Sequence, residues 1–343
     1  MGRSSIAVVG AGIIGCLVAR ELAARLPDMQ VTVLDRDGVG SGASRRSAGL
    51  HLLRGGSDRT RRMSAYSHAY YADLKRGHPA LPIYPVAATL VTGPGQPGDR
   101  LIERYLPQAE PVALTTQAPA ERRTWRISGS HYCDVYRLTQ ALALRLRPAV
   151  EFAEGVAVTA LEQDDHGVTI RCGTGARIEV DAVVLAPGPW LAAPAWRDLI
   201  TPLGLRVKRV VALHITHPAD PADEAILFDA DDSFLLPLAH RGHWLFSYAC
   251  REWDVDPDRP ATGLTATDID AARGCLRRYA PSLADACRGG QVFCDAYSPS
   301  REPVIEALDP AGRIVFAGAA NGSGYRLAPA IAAEAVTQLA TTP

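Results

Sequence analysis

Apolar residues follow two patterns along this 343-residue chain. Short continuous apolar runs at residues 6–9, 30–34 and 313–317 are typical of parallel strands that are buried on both faces. Helical spacing of apolar residues predicts helices over residues 16–26, 60–76, 134–146, 268–279 and 328–339, with Asp134 as an N-cap. The order of run, helix and run at the start of the chain predicts a parallel βαβ unit.

The middle of the chain is richer in prolines and β-branched residues. Strands are predicted over residues 155–162, 168–172, 178–185, 205–216, 233–238 and 244–248. No convincing helix separates the last three, so we expect them to pair in antiparallel fashion. Residues 39–47 are predicted to form a loop, and the GPGQPG cluster at residues 93–98 a turn.

These patterns predict an α/β protein, α+β overall, with two interleaved domains. The parallel-sheet domain is assigned residues 1–80, 131–205 and 295–343. A mainly antiparallel β-sheet domain, expected to bind the substrate, is inserted as residues 81–130 and 206–294.

A glycine loop follows the first predicted strand and opens the first predicted helix. Gly10 permits a tight turn, Gly12 lets the backbone approach a pyrophosphate, and Gly15 lets helix and strand pack closely. Between them, Ile13 and Ile14 begin a helix N-terminus whose free N–H groups suit phosphate oxygens. Asp35 ends the second strand, where a carboxylate accepts hydrogen bonds from ribose hydroxyls and disfavours a 2′-phosphate. The loop therefore predicts dinucleotide binding, but it does not choose between NAD and FAD.

Composition excludes several classes of partner. A formal net charge of −1 gives no electrostatic case for nucleic acid or an anionic membrane as the main partner. No stretch reaches ~18 uninterrupted apolar residues, so no membrane span is expected. The seven cysteines form no C-x-x-C pair, which argues against zinc and against a disulfide framework, and favours a reducing cytoplasm. The histidines show no spacing that suggests a metal site.

Four segments resemble the FAD-dependent amine and amino-acid oxidases of the sarcosine oxidase, glycine oxidase and D-amino-acid oxidase group. They are the glycine loop with its acid, the small-residue run at 40–50, the APGPW run at 186–190 and the glycine-rich run at 316–330. The resemblance implies a Rossmann-type domain that binds FAD. The cofactor-binding residues it implies beyond the glycine loop are Arg36, Ser44, Arg45, Ser47, Ala48, Gly49, Leu50, Val156, Ala186, Gly188, Trp190, Gly318, Asn321, Gly322, Ser323, Gly324 and Tyr325.

The same resemblance implies hydride transfer from the carbon of a C–N bond in an amino acid or N-substituted amine to the flavin. It places Arg326 where a cation holds the substrate carboxylate. Tyr297 matches a tyrosine that faces the substrate, and Asp295 falls where related oxidases have an arginine. His51, which follows the small-residue run at 40–50 (the second loop), is a further candidate for lining the site.

Two points stay open at the level of sequence. Cys294 lies near the position at which sarcosine oxidases attach FAD covalently, although non-covalent FAD is expected. Leu245 occupies the position of their oxygen-activating lysine, and no lysine is expected nearby. His243, Arg241, Arg45 and Arg46 are the alternative sources of positive charge.

The acceptor is therefore either O2 or, in a dehydrogenase of amines or 2-hydroxy acids, a quinone or a partner protein. A subunit that binds FAD without catalysis is the third alternative. The sequence names neither the substrate nor the oligomeric state.

Overall fold

The computed structural model describes residues 4–92, 109–112, 124–259 and 263–340. The α-helices in these ranges are α1 Ile13–Arg25, α2 Ala43–Arg46, α3 Asp58–Gly77, α4 Val135–Leu146, α5 Arg197–Ile200, α6 Ala266–Leu276, α7 Pro281–Ala284 and α8 Gly324–Ala340. Single 3-10 turns lie at Thr201–Leu203, Asp229–Asp231 and Ala239–Arg241.

The strands before residue 160 are β1 Ser5–Val9, β2 Gln30–Asp35, β3 Ile83–Pro85, β4 Ala88–Val91, β5 Ala109–Val112, β6 Thr124–Ile127, β7 His131–Cys133, β8 Val150–Glu154 and β9 Val158–Gln163. They continue as β10 Val168–Cys172, β11 Arg177–Val180, β12 Ala182–Leu185, β13 Arg206–Ile215, β14 Ala225–Phe228, β15 Ser233–Leu238, β16 His243–Tyr248, β17 Cys287–Tyr297, β18 Val304–Ala307 and β19 Ile314–Gly318.

A six-stranded sheet has the order β18-β19-β12-β1-β2-β8 and is parallel apart from β18. Its central strand β1 is apolar because both faces are covered: Val8 packs with helices α1 and α8, and Ala7 packs on the opposite side. The carboxyl ends of β1 and β2 carry the glycine loop and Asp35. Ligands of parallel sheets bind at such an edge.

An eight-stranded sheet has the order β17-β13-β16-β15-β14-β4-β6-β5 and is antiparallel except between β4 and β14. Smaller sheets are β11-β10-β9 and β3-β7. Parallel and antiparallel sheets in one chain confirm the predicted fold class. Strand β17 crosses the predicted domain boundary at residue 295, and the division into domains stays a prediction.

Several local predictions were wrong at the ends of elements. Helix α8 begins four residues earlier than residue 328, and α1 begins at Ile13 because the glycine loop itself enters the helix. The predicted strand at 178–185 is two strands in two different sheets. The predicted loop at 39–47 contains α2, and β14 and β17 were not predicted. The GPGQPG cluster lies outside the described residues.

Alternation gives the eight-stranded sheet two faces that differ in their surroundings. The outer face carries Val211, Leu213 and Phe246 and is covered by α6 and α7. The inner face carries Ala212 and Leu245, which pack against Leu50 and Leu52 beyond the second predicted cofactor loop. The inner face therefore faces the six-stranded domain's loops.

Candidate active site

The glycine loop is shaped by contacts that only glycine permits. Gly10 has φ +103°, and a Cβ there would lie 2.3 Å from the carbonyl oxygen of Ala186. A Cβ on Gly15 would lie 1.8 Å from the carbonyl oxygen of Gly10. The backbone therefore turns tightly between β1 and α1, next to β12, and presents the N-terminus of α1.

Two polar side chains hold this loop. Asp35 accepts hydrogen bonds from the backbone N–H of Ala11 at 2.7 Å and of Asp37 at 2.9 Å. Burial raises the pKa of its carboxyl group above the ordinary value. Buried Ser44 accepts a hydrogen bond from the N–H of Ile13 at 2.9 Å, so α2 meets the N-terminus of α1. A hydroxyl and free N–H groups at a helix N-terminus are suited to a phosphate.

The second loop runs beside α4 and β7. Gly49 has φ +67°, and a Cβ there would lie 2.1 Å from the carbonyl oxygen of Cys133. Its N–H donates to Ser47 Oγ at 3.1 Å, and Arg45 lies over the Tyr136 ring at 5.6 Å. The close approach of backbones explains why Ala48, Gly49 and Leu50 are small or apolar.

The predicted ribose and adenine end lies where β2 and β12 finish. The guanidinium of Arg36 lies 4.4 Å from the centre of the Trp190 ring, and both side chains bond Asp258. The N–H of Val156 donates to the carbonyl oxygen of Asp35 at 2.9 Å. Gly188, with φ +58°, turns the chain toward Trp190.

The C-terminal glycine run joins β19 to α8 and contacts β17. Asn321, with φ +54°, accepts a hydrogen bond from the N–H of Ser298 at 3.0 Å. A Cβ on Gly322 would lie 3.2 Å from the hydroxyl oxygen of Tyr297. Gly318 ends β19, and Gly324 begins α8.

Arg326 lies in the first turn of α8 and bonds Ser323. The residue before it is Tyr325. That ring is buried, stacks on Tyr71 at 4.6 Å, and its hydroxyl contacts His131 Nε2 at 3.0 Å. The start of α8 thus separates an arginine beside the glycine run from a buried aromatic anchor.

The inner face of β13 and β17 brings together groups that are distant in sequence. Lys208 and Asp295 are cross-strand partners, and Tyr297 lies two residues beyond Asp295 on the same face. The Lys208 Nζ lies 5.4 Å from the centre of the Tyr297 ring and 5.2 Å from that of Trp253. Lys208 lies six residues along β13 from His214, the cross-strand partner of Leu245, so the expectation that no lysine lies beside Leu245 stays a prediction.

These inner-face groups are half-buried, whereas the residues that alternate with them are buried. Burial raises the pKa of Asp295 to about 7 and raises the pKa of Tyr297 further above its ordinary value. Both groups are therefore uncharged or partly charged near neutral pH.

Three histidines, which the sequence did not group, meet behind the second loop. His51, His68 and His131 each offer a ring nitrogen within 4.8 Å of the others. The rings of His51 and His131 are stacked at 4.5 Å with an 11° interplanar angle, and His51 and His68 at 5.5 Å with 18°. Nitrogen lone pairs lie in the ring planes, so near-parallel rings do not direct them to one point. The cluster is a stack rather than a preformed metal cage.

His51 itself is fully buried, between His131, His68 and Tyr71. Burial, followed by the neighbouring His131, lowers the pKa of His51 well below its ordinary value, so the ring is neutral. The structure therefore places this candidate in a buried ring stack, close enough to Arg326 for its charge to lower the pKa of His51 further.

Cys294 lies on the outer side of β17, at the edge of the sheet. It lines a cleft together with Gly42, Ala43 and Trp190, which belong to the predicted cofactor segments. Burial raises the pKa of its thiol, which disfavours the thiolate. Covalent attachment of the cofactor there stays a prediction.

The family model for FAD dependent oxidoreductases (DAO) matches residues 5–339. The chain belongs to this family of FAD-dependent oxidoreductases. The glycine-shaped loop and the N-terminus of α1 fit the pyrophosphate of FAD, and the individual residues expected to contact the cofactor stay predictions. Among the described residues, no helix is both long and apolar enough to cross a membrane.

Solved structures share the fold over the whole chain. L-proline dehydrogenase from P. horikoshii has a TM-score of 0.82 at 16% identity, with 99% of this chain and 93% of that chain covered. L-alpha-glycerophosphate oxidase from Mycoplasma pneumoniae, solved with FAD bound, has a TM-score of 0.81 at 17% identity, with 99% and 95% covered. NikD, an amino acid oxidase essential for nikkomycin biosynthesis, has a TM-score of 0.80 at 18% identity, with 99% and 95% covered. No curated protein sequence matches this chain.

Proposed function

We propose that this oxidoreductase oxidises the C–N bond of an amino acid or N-substituted amine to an imine, which then hydrolyses. The observation that carries the proposal is the placement of Arg326 in the first turn of α8, directly after the glycine run that contacts Tyr297. A guanidinium there grips a carboxylate bidentately, with the tyrosine ring as a neighbouring wall. When bound, FAD supplies a hydride acceptor at its N5 atom.

The protein's own residues bind and orient the substrate in this proposal. Arg326 fixes the carboxylate, and the inner face of β13 and β17 supplies a partly apolar wall at Tyr297 and Trp253. A fixed carboxylate presents the neighbouring carbon in one orientation, which lowers the entropy cost of reaction. The positive charge of Lys208 over these rings favours binding of an anionic group or of reduced oxygen.

O2 is proposed as the acceptor, because Lys208 places a cation on the inner face. The alternative is a dehydrogenase of amines or 2-hydroxy acids that uses a quinone or a protein. The fold relatives include both an oxidase and a dehydrogenase. Mixing anaerobically reduced enzyme with air-saturated buffer separates the two, because slow reoxidation contradicts the oxidase. Non-covalent FAD and a cytoplasmic location also stay predictions.

The test of the function is anaerobic bleaching of the flavin by D- and L-amino acids, N-methyl amino acids, cyclic amines and 2-hydroxy acids. We expect carboxylate-bearing amines to reduce the flavin fastest. Arg326→Met should then lower kcat/KM for these substrates on the order of 10²–10³-fold, since a charged hydrogen-bonded partner is lost.

The matched control is Arg197→Met, which removes an exposed arginine paired with Asp198 and should leave kcat/KM unchanged. Equal losses for amines without a carboxylate would contradict the role of Arg326. Bleaching by no amine, with normal reduction by dithionite, would contradict the proposed amine oxidation.

A further inference from the structure

We propose that Asp295 accepts the proton of the substrate's ammonium nitrogen, so that the substrate reacts as the neutral amine. The inference rests on the proposed function and assigns a catalytic base within the same site. The evidence for it is the position of the Asp295 carboxylate on the sheet and the groups that surround this carboxylate.

Asp295 lies near the end of β17, on the inner face between Phe293 and Tyr297. Its side chain is half-buried. Lys208 is its cross-strand partner, yet the lysine nitrogen lies over the Tyr297 and Trp253 rings. Within the described ranges, no side chain forms a hydrogen bond or an ion pair with the Asp295 carboxylate.

Other buried carboxylates of this protein are satisfied. Asp134 accepts from the N–H of Arg137 and from Arg241, and Asp309 accepts from Gln163 and from the N–H of Ile314. Asp268 is bound by an arginine on the outer face of the sheet. Among the described residues, Asp295 differs, because it has a backbone partner in the N–H of Ala296 but no side-chain partner. A carboxylate beside Tyr297 that keeps acceptor sites available is suited to a ligand that carries an N–H donor.

The proton transfer is a balanced acid–base step. One N–H bond of the ammonium group breaks, an O–H bond forms on a carboxylate oxygen of Asp295, and the electron pair stays on nitrogen. That lone pair then assists departure of hydride from the neighbouring carbon. Nothing is oxidised or reduced in the proton transfer, and the proton returns to water after the product leaves.

The surroundings suit a base that works near neutral pH. Burial raises the pKa of Asp295 to about 7, so a large fraction of the carboxyl groups is ionised at pH 7 and above. The charged or titratable groups on its face are Arg206 and Lys208 from β13 and Tyr297 from β17 itself, and α2 contacts β17 where the carbonyl oxygen of Arg46 accepts a hydrogen bond from Gln291. Desolvation opposes the ionised acid and raises its pKa, whereas a hydrogen bond from the backbone N–H of Ala296 favours it.

The test compares wild-type holoenzyme with Asp295→Asn in anaerobic stopped-flow reduction between pH 5.5 and 10, using the best amine from the panel. In wild type the limiting reduction rate should rise with pH through an apparent pKa near 7. The variant should be slower on the order of 10²-fold at pH 7, with its rise displaced to higher pH, so that the gap narrows at pH 10. Asp295→Glu, which keeps a carboxyl group, should retain the rise at the lower pH.

A second measurement does not depend on turnover. Acetate binding, followed by the change in the visible spectrum of bound FAD, should weaken above pH 7 in wild type because the ionised Asp295 repels the anion. In Asp295→Asn this change should be absent. Asp254→Asn is the control, because it alters an exposed aspartate paired with Arg206 and should leave both pH profiles unchanged.

A wild-type pH profile in Asp295→Asn overturns the inference while the proposed function stands. A change in the substrate Kd alone, with an unchanged profile, also overturns it and assigns Asp295 to ammonium binding without proton transfer. If no amine reduces the wild-type flavin, the proposed function fails and this inference fails with it.

Discussion

The two faces of strands β13 and β17 carry charged residues in different environments. On the outer face, Arg209 is 2% exposed and donates to both carboxylate oxygens of Asp268 at 2.7 Å, and to Glu252 at 2.9 Å. On the inner face, the preceding residue of β13 is Lys208, and among the described residues its cross-strand partner Asp295 forms no such pair. Neighbouring residues of β13 thus point to opposite faces of the sheet. Arg209 lies in a buried ion pair on the outer face, whereas Lys208 and Asp295 lie on the inner face toward the cofactor loops.

The difference shows how to distinguish structural from functional charge. Hydrogen bonds from Arg209 hold the pKa of Asp268 well below its usual range, so the outer pair stays ionised and fixes α6 on the sheet. The open inner carboxylate of Asp295 has a raised pKa instead, because desolvation outweighs its hydrogen bond from the backbone N–H of Ala296. The fold does not fully offset the free-energy cost of desolvating the Asp295 carboxylate. Such a cost is consistent with a carboxylate whose partner is the bound substrate.

Breaking the outer pair should have the largest effect. Arg209→Met leaves Asp268 buried without its partner and should lower the free energy of unfolding by about 3–5 kcal/mol. Urea unfolding of the holoenzyme measures this. The control Arg206→Met removes the exposed pair with Asp254 and should cost only about 0.2–1 kcal/mol. Similar losses in the two variants would contradict the contrast between the faces.

Removing the inner cation should affect electron transfer to O2 more than folding. Lys208→Met should slow reoxidation of the reduced flavin on the order of tenfold, because a positive charge near the rings attracts the developing anion. Unfolding by urea should change by less than about 0.5 kcal/mol. Reoxidation at the wild-type rate would exclude Lys208 as the oxygen-activating charge.

The smallest expected effect concerns the inner carboxylate and pH. A folded-state pKa raised above the unfolded value costs stability as pH rises through the folded pKa, so the cost is present above pH 7 and absent at low pH. Asp295→Asn should therefore raise Tm by roughly 1–2 °C at pH 8 and leave it unchanged at pH 4. A lower Tm at pH 8 would show that this carboxylate is structural.

The sequence predicted the parallel-sheet core and the loops at its edge well. Continuous apolar runs, glycine spacing and Asp35 are local features. Each can be interpreted from the residues beside it in the sequence. Strand β17 escaped prediction because Gly289 and Gly290 interrupt it and its apolar alternation is weak. The early start of α8 escaped because glycine and serine precede its apolar face.

The residues by themselves determined the dinucleotide loop and the fold class, because apolar runs and glycine spacing are local features. The candidates Arg326 and Tyr297 came from the resemblance to a family and stay predictions. Only the tertiary structure shows that Lys208 lies beside Tyr297 and that His51 stacks on His131. It also shows that the buried ion pair of Arg209 and the residues Lys208 and Asp295 lie on opposite faces of one sheet. Strand period tells which residues share a face, but not which strands pair or which face is covered. Strand pairing and the covering of each sheet face depend on contacts between distant segments. These contacts decide which charged side chains are available to a ligand.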